Sequence, residues 1–451
     1  MVLTPWGNSE SLRGRKLRPG PGVPRAEVLA NQRGRLFGAM VAVVGEKGYQ
    51  ATTVGDLVAL SGVSSRTFYD LFSDKKACFL ATMEAIVAAA IGYTTWSVGG
   101  PVADESPGGV KLPAREAGGA DWEERARTGL AAFAAMVAAQ PAAAHLVMVD
   151  AYAAGPEALA PIERSIAGFE WLAQQVIDQS PERAGMPVEM REALIGAQRE
   201  MALNRLLEGR ERELPAAAAE LWDVFLSYRP PPEPLRLAAR PPQAPPESTD
   251  AHDHAERALR ALTAVVAEEG YARTTVDAVL RRGQMSATTF YAQFDGKEDA
   301  MLAAIDWAGA RIVAVTTPAY RRAPDWAHGI RAALGALFDL LAARPALANL
   351  VVVEAYAAGP EAIRRRSEAL RPFEDLFRAG FELSPETSRL AAEGIVGAIH
   401  QLSHRRLRES GAAALPALAP VCAYIALAPF VGAAEACRVA NGDGESPSLR
   451  M

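Results

Sequence analysis

The sequence predicts an all-α protein made of one helical module written twice, and three observations carry that expectation. First, the octapeptide Ala-Tyr-Ala-Ala-Gly-Pro-Glu-Ala fills both 151–158 and 355–362. It lies inside a 14-residue match that starts at His145 and at Asn349 and agrees at 11 positions, an offset of 204 (355 − 151). Second, Thr52-Thr53-Val54 returns as Thr274-Thr275-Val276, and Thr67-Phe68-Tyr69 as Thr289-Phe290-Tyr291, an offset of 222 (274 − 52). Third, apolar residues recur at three- and four-residue spacing while strand-like alternation is scarce. A period of about 200 residues is too long for a solenoid and suits a domain with its own core. The offsets differ by 18 (222 − 204), so copy one carries 18 additional residues. Two copies in one chain suggest a covalent form of a symmetric dimer.

Each element follows in order. Residues 1–24 read as a disordered basic arm, rich in Gly, Pro and Arg without periodicity. Within 25–91, Ala26–Lys47 forms a helix with Leu36, Phe37, Met40, Val43 and Val44 on one stripe. Gly48 ends it. Thr53 with Asp56 makes a capping box for a short helix that stops at Ser61-Gly62-Val63. Ser64 caps the next helix, to about Phe72, and Asp74 starts a longer one to about Ala90. Residues 92–120 read as a flexible loop, 121–228 as a helical domain broken by prolines, and 229–253 as a Pro-rich, semi-extended linker. Copy two then runs through a short-helix domain at 254–313 and a helical domain at 314–437, with a frayed tail at 438–451. Its capping box reads as Thr274 with Asp277, shifted by one residue.

Composition bounds the class. Half of the 451 residues are apolar and 22% are charged, which suits a soluble globular chain. Three cysteines, Cys78, Cys422 and Cys437, make no disulfide framework. With no apolar stretch after the basic N-terminal residues, the expected compartment is the cytoplasm. The uncharged run Gly411–Ala434 contains Pro416, Pro420 and Pro429 and reads as a buried interface helix, not a membrane span. Net charge is −6, yet residues 11–35 carry seven basic side chains against one acid, whereas 233–257 carries three basic and five acidic residues.

The segment Thr52–Lys76 carries the chemistry. Two short helices joined by a tight glycine turn form a helix-turn-helix unit. Its second helix suits the major groove of duplex DNA, with its first residues facing base edges. Those residues are Ser64, Ser65, Arg66 and Thr67. Phe68, Leu71 and Phe72 hold the helix on its scaffold, and Tyr69 is free to reach a phosphate. Thr53 and Lys75 begin helices whose N-termini favour phosphate. Arg13, Arg15, Lys16 and Arg18 of the arm would add phosphate or minor-groove contacts.

At Thr52-Thr53-Val54, at Leu57 through Ser64, and at Thr67-Phe68-Tyr69, Phe72 and Lys75, the chain resembles the TetR family of bacterial transcription regulators. The resemblance covers about 50 residues of copy one and continues weakly through both helical C-terminal portions. It implies two tandem modules, each with a three-helix DNA-binding domain and a larger helical domain for ligand binding and pairing. It also implies a repressor that releases operator DNA when a small molecule binds.

Copy two departs from that pattern. Gly283-Gln284-Met285 replaces Ser61-Gly62-Val63, so Gln284 must take the turn position at strained positive φ. The reading residues become Ser286, Ala287, Thr288 and Thr289, without the arginine, while Thr275, Tyr291 and Lys297 keep their places. An apolar effector cavity is a candidate around Phe133, Met136, His145, Met148, Tyr152, Phe169 and Trp171 in copy one. In copy two its counterpart is Leu334, Phe338, Tyr356, Phe373 and Phe377, although such stripes also suit plain core. His400 and His404 stand four apart, but no third ligand accompanies them, so they read as a solvated or pocket-lining pair and no metal is expected. No nucleotide-binding, zinc or catalytic pattern is present, so neither an enzyme nor a cofactor is expected. The expected function is a ligand-responsive regulator acting as a single-chain pseudo-dimer on an asymmetric DNA operator. Further pairing of chains is left open. The alternative is a ligand-binding or interaction protein in which one or both helix-turn-helix units no longer bind DNA specifically.

Overall fold

In the computed structural model the described residues are 2–17, 23–97, 122–178, 180–237 and 254–442. They form two compact units: Met1–Leu172 with Arg205–Ala219, and Ala173–Asn204 with Glu220–Met451. The units do not coincide with the two sequence copies, because helices from the end of copy one pack with copy two.

In the first unit β1 (Leu3–Thr4) pairs antiparallel with β2 (Gly7–Asn8), and two 3-10 turns follow at Ser9–Ser11 and Arg13–Arg15. Residues 2–17 are therefore folded, which corrects the expectation of a disordered arm. The cause is a pair of glycines on α1 (Arg25–Ala51). A Cβ at Gly34 would stand 3.0 Å from Trp6, and one at Gly38 would stand 2.8 Å from Leu12. The missing side chains leave a seat in which Leu12 is fully buried and the Trp6 ring meets Phe37 edge-on at 5.2 Å. Asn31 Nδ2 closes the strap by donating to the Arg15 carbonyl at 3.0 Å. Arg18 lies outside the described residues.

Gly48 breaks α1 with φ 77°, and α2 (Val54–Ser61) opens on the full Thr53–Asp56 capping box. Gly62 turns the chain in the left-handed conformation, φ 65°, and Ser64 caps α3 (Ser65–Leu71). Then follow α4 (Lys75–Ser97), α5 (Trp122–Ala139), α6 (Pro141–Met148) and α7 (Leu159–Asp178), which crosses into the second unit. Most of the expected 92–120 loop lies outside the described residues, although α4 extends to Ser97. The chain next forms α8 (Glu189–Leu207) and α9 (Leu214–Ser227).

Copy two contributes α10 (His254–Glu269), α11 (Val276–Gly283), α12 (Ala287–Tyr291), α13 (Lys297–Arg321), α14 (Trp326–Ala343) and α15 (Pro345–Asn349). A π-helical turn at Leu350–Glu354 leads to α16 (Ala355–Ala357), α17 (Pro360–Asp375), α18 (Arg378–Leu383), α19 (Leu390–Ser410) and α20 (Ala419–Asn441). The N-cap of α11 is Thr275, in register with Thr53. That corrects the shifted box: Ala278 stands where Asp56 would, so only the threonine half of the box survives. Gln284 occupies the turn at φ 48°, the one non-glycine at positive φ among the described residues.

Within the second unit, α8 and α19 cross at Gly196 and Gly397. A Cβ on either glycine would come within 2.7 Å of the other's carbonyl oxygen. Around that crossing Arg366 Nη1 pairs with Glu200 at 2.9 Å, with the two side chains 4% and 5% exposed. Asn204 Nδ2 donates to Glu393 at 2.9 Å, and Arg405 pairs with Glu192. The Tyr228 hydroxyl donates to the Ile425 carbonyl at 2.7 Å. The first part of the Pro-rich linker, 229–237, is docked along α20: Arg236 N–H donates to Asn441 at 2.7 Å, and Asn441 Nδ2 donates to the Pro234 carbonyl at 3.2 Å. The remainder of the linker, 238–253, lies outside the described residues, as does the tail beyond 442. Residues 412–441, like Lys75–Thr94 and Lys297–Arg321, are long and apolar enough to cross a membrane by length and composition. Here Cys422, Ala423, Tyr424, Ala426 and Leu427 of α20 are fully buried in protein.

Candidate nucleic-acid interface

In copy one the reading helix is held from below and open above. Phe68 is fully buried, Phe72 nearly so, and the two rings meet at 5.8 Å. Ser64 Oγ accepts from the Thr67 amide at 3.1 Å and lies 2.9 Å from Thr67 Oγ1. Capping therefore engages both of these expected reading residues. Ser65 and Arg66 are exposed, and Tyr69 is 58% exposed with its ring edge-on to Phe68 at 5.3 Å. The open face is thus Ser65, Arg66 and Tyr69. Thr53 serves the cap: its hydroxyl accepts from the Asp56 amide at 3.2 Å. Lys47 pairs with Asp56 at 2.6 Å, and that bond, ahead of those from Thr53, holds the Asp56 carboxyl down at about 2.

Lys75 is placed differently from its sequence-based role. Its ammonium donates to the carbonyls of Tyr49 and Gln50 at 2.9 and 3.3 Å and sits 4.3 Å from the Tyr49 ring centroid. Burial lowers its pKa. It ties the start of α4 to the end of α1. Lys297 repeats the arrangement on Tyr271, at 3.1 Å to the carbonyl and 4.3 Å to the ring. Of the arm residues, Arg13, Arg15 and Lys16 are exposed. Arg15 bonds the Trp6 carbonyl. Arg35, counted in the basic run, is buried and donates to the Ser61 carbonyl at 2.8 Å.

Copy two has the same frame with other residues on it. Ser286 caps α12 and lies 2.9 Å from Thr289 Oγ1. Phe290 is buried, and Ala287, Thr288 and Tyr291 are open. Gln284 is exposed at the turn.

A cavity of about 130 Å3 lies in the helical part of copy two. Leu334, Phe373 and Phe377 line it as expected, whereas Phe338 and Tyr356 are core residues behind its wall. Sequence reading missed Arg366 and Ser403, which with His400 give the cavity its polar end; His400 lines the pocket, one of the two places the sequence allowed it. His400 stacks on Tyr356 at 5.4 Å and stands 6.4 Å from His404. Burial, with Arg366, His404 and Arg199 nearby, lowers the His400 pKa well below its usual value. Burial and four surrounding arginines bring His404 down to about 3. Both rings are therefore neutral at pH 7, in surroundings that disfavour a cation. In copy one Phe133 meets Phe169 at 5.3 Å, His145 lies 2.8 Å from Asp150, Tyr152 is buried, and Met136 and Met148 are half-buried. Trp171 is 60% exposed and leaves the expected cavity list, because the turn of α7 points it outward.

Comparison with known proteins places these units. The family model described as bacterial regulatory proteins, tetR family, matches twice, at residues 38–82 and 258–304. No curated protein matches the chain. Among solved structures, a fatty acid degradation regulator, FadR, from Bacillus halodurans is 21% identical. The match covers 40% of this chain and 95% of that one, with a TM-score of 0.36. FadR from Bacillus subtilis, solved in complex with stearoyl-CoA, is 18% identical over 39% of this chain and 98% of its own, TM-score 0.34. A TetR family regulator from Marinobacter aquaeolei VT8 is 18% identical over 37% of this chain and 93% of its own, TM-score 0.31. The two family matches fall on the two helix-turn-helix units built from α1–α4 and α10–α13, so this chain carries the tetR-family helix-turn-helix unit twice.

Proposed function

We propose that the chain is a ligand-responsive transcriptional regulator, a repressor, working in the cytoplasm, in which one polypeptide supplies both reading heads of an operator-bound pair. The observation that carries this reading is the pair of reading helices. Both are capped alike, by Ser64 and Ser286, yet they expose unlike residues: Ser65 and Arg66 on one, Ala287 and Thr288 on the other. Pairing of the copies inside one chain is supported by the α8–α19 glycine crossing and the buried Arg366–Glu200 pair. An internal pseudo-dimer with unlike heads needs no palindrome, since site symmetry mirrors protein symmetry.

The cavity supports an apolar effector. An empty apolar cavity of about 150 Å3 takes benzene, so a site of about 130 Å3 suits a ligand of roughly one ring. Arg366 lines the cavity and also pairs with Glu200 on α8, so occupancy reaches the contact between copies directly. Such a ligand shifts DNA binding only to the extent that it binds the two states unequally. The other reading, that module two has lost specific DNA binding, is favoured by Gln284 at its turn and by Ala287 in place of a polar contact.

Arg66 tests the reading. A bidentate arginine contact to guanine O6 and N7 discriminates against a wrong base by about 1–3 kcal/mol. Arg66→Ala is expected to relax base preference in one half-site only. Tyr69→Phe is expected to weaken binding across sequences, as loss of a phosphate contact does. Binding measured across single-base substitutions of the site separates the two patterns. Preference unchanged in Arg66→Ala would remove α3 as the specific reader.

A further inference from the structure

Among the described residues the folded strap at 2–17 belongs to module one, and its seat explains why. Glycine inside a helix is unfavourable relative to alanine, yet α1 carries Gly34 and Gly38 where Trp6 and Leu12 press against the helix backbone. In module two the same places hold Glu256 and Arg260 (34 + 222 and 38 + 222), paired with each other at 2.9 Å. No strap can dock there. The strap ends beside the reading unit. A Cβ on Gly62 would lie 3.0 Å from Arg13 Cγ and 3.5 Å from its Nε, so the Arg13 side chain runs directly over the turn that leads into α3. The place of Gly62 is taken by Gln284 in module two, whose Cβ would occupy that space. Arg15 is turned back onto the Trp6 carbonyl and holds the strap closed. Asn31 fixes the strap's end to α1. Arg13 is left exposed beside Gly62, which precedes the first reading position, Ser64, by two residues in the chain.

We propose that the strap is a built clamp that holds the Arg13 guanidinium at the helix-turn-helix turn of module one, where it takes a phosphate of the DNA backbone next to the bases read by α3. The proposal rests on the DNA-binding reading above and adds to it a contact from outside the helix-turn-helix. An arginine held on a folded strap loses less freedom on binding than one on a loose arm. Module one thereby binds duplex more tightly than module two whatever the sequence, and this anchors the orientation of the chain on its site.

The test is duplex binding by the full chain as a function of salt, on the preferred site and on a random-sequence duplex. Loss of one phosphate contact lowers the slope of log K against log salt by about 0.9. Arg13→Gln is expected to lower it by that amount on both duplexes, with base preference unchanged. Gly38→Leu, which fills the seat of Leu12, is expected to lower it equally, and adding Arg13→Gln to it should change nothing more. Arg13→Gln is a surface change, so its result stands even where Gly38→Leu fails to fold. An unchanged slope in Arg13→Gln, or a changed base preference, overturns the proposal and leaves the DNA-binding reading intact. A full chain that binds neither duplex overturns both.

Discussion

Arg366→Met is expected to destabilise the second unit by roughly 3–5 kcal/mol, the usual cost of leaving one member of a buried ion pair without its partner. Arg366 and Glu200 are 4% and 5% exposed and 2.9 Å apart. The Glu200 carboxylate left behind would share its surroundings with Glu393 and Glu374. The latter is already pushed up to about 7, chiefly by burial and then by Glu393 and Glu200. The guanidinium also lies 5.0 Å from the Tyr356 ring centroid. The double change Arg366→Met with Glu200→Met should recover most of the loss, because a buried pair can give way to apolar side chains at little cost. Urea unfolding of the three proteins measures this cycle. A loss below about 1 kcal/mol in the single variant is the cost expected of a solvated pair. It would remove the pair as a strong contributor to the joining of α8 to the second copy.

Gly196→Ala and Gly397→Ala carry the second large effect. Alanine is the better helix former by about 1 kcal/mol. Here its methyl would enter within 2.7 Å of a facing backbone carbonyl and 2.5 Å of a facing side chain, distances at which the helices must separate. Overpacking of this kind costs about 1–3 kcal/mol and more where backbone is the obstacle. Gly92 in α4 is the control, since a Cβ there would meet nothing within 4 Å. Gly92→Ala should be neutral or stabilising. Equal behaviour at all three glycines would mean that the α8–α19 backbones are not in contact in solution.

The parts of this fold that were legible in the sequence are those set by local rules. The two copies declared themselves by repetition, and Thr53, Ser64, Asp74 and Gly62 marked helix starts and a turn because capping and positive φ depend on a few adjacent residues. The strain at Gln284 was legible for the same reason. What escaped depends on partners far away in the chain. Nothing near Leu12 signals burial, since its seat is made by Gly34 and Gly38. Pairing of the copies through helices around Arg191–Glu208 and Leu390–Arg408 is legible in the sequence, but how closely α8 and α19 approach depends on two glycines 201 residues apart (397 − 196). Arg364, Arg365 and Arg366 look alike in sequence, and only the turn of α17 decides that Arg366 faces inward to Glu200. Lys75 was assigned to DNA by its position, whereas a free ammonium beside the carbonyls of Tyr49 and Gln50 is first satisfied by them. Trp171 fell on a plausible apolar stripe, and its exposure follows from the rotation of α7.

One chain is proposed to present two unlike reading heads to one duplex. Selection of bound sequences from random DNA, followed by footprinting of the recovered site with a single chain, tests it most directly. An asymmetric site is expected. One half should be well defined and contain a guanine that loses its importance in Arg66→Ala, and the other, under Ala287 and Thr288, should be looser. A palindromic site with both halves equally sensitive to Arg66→Ala would contradict it, and would mean that two chains meet on DNA through their first modules.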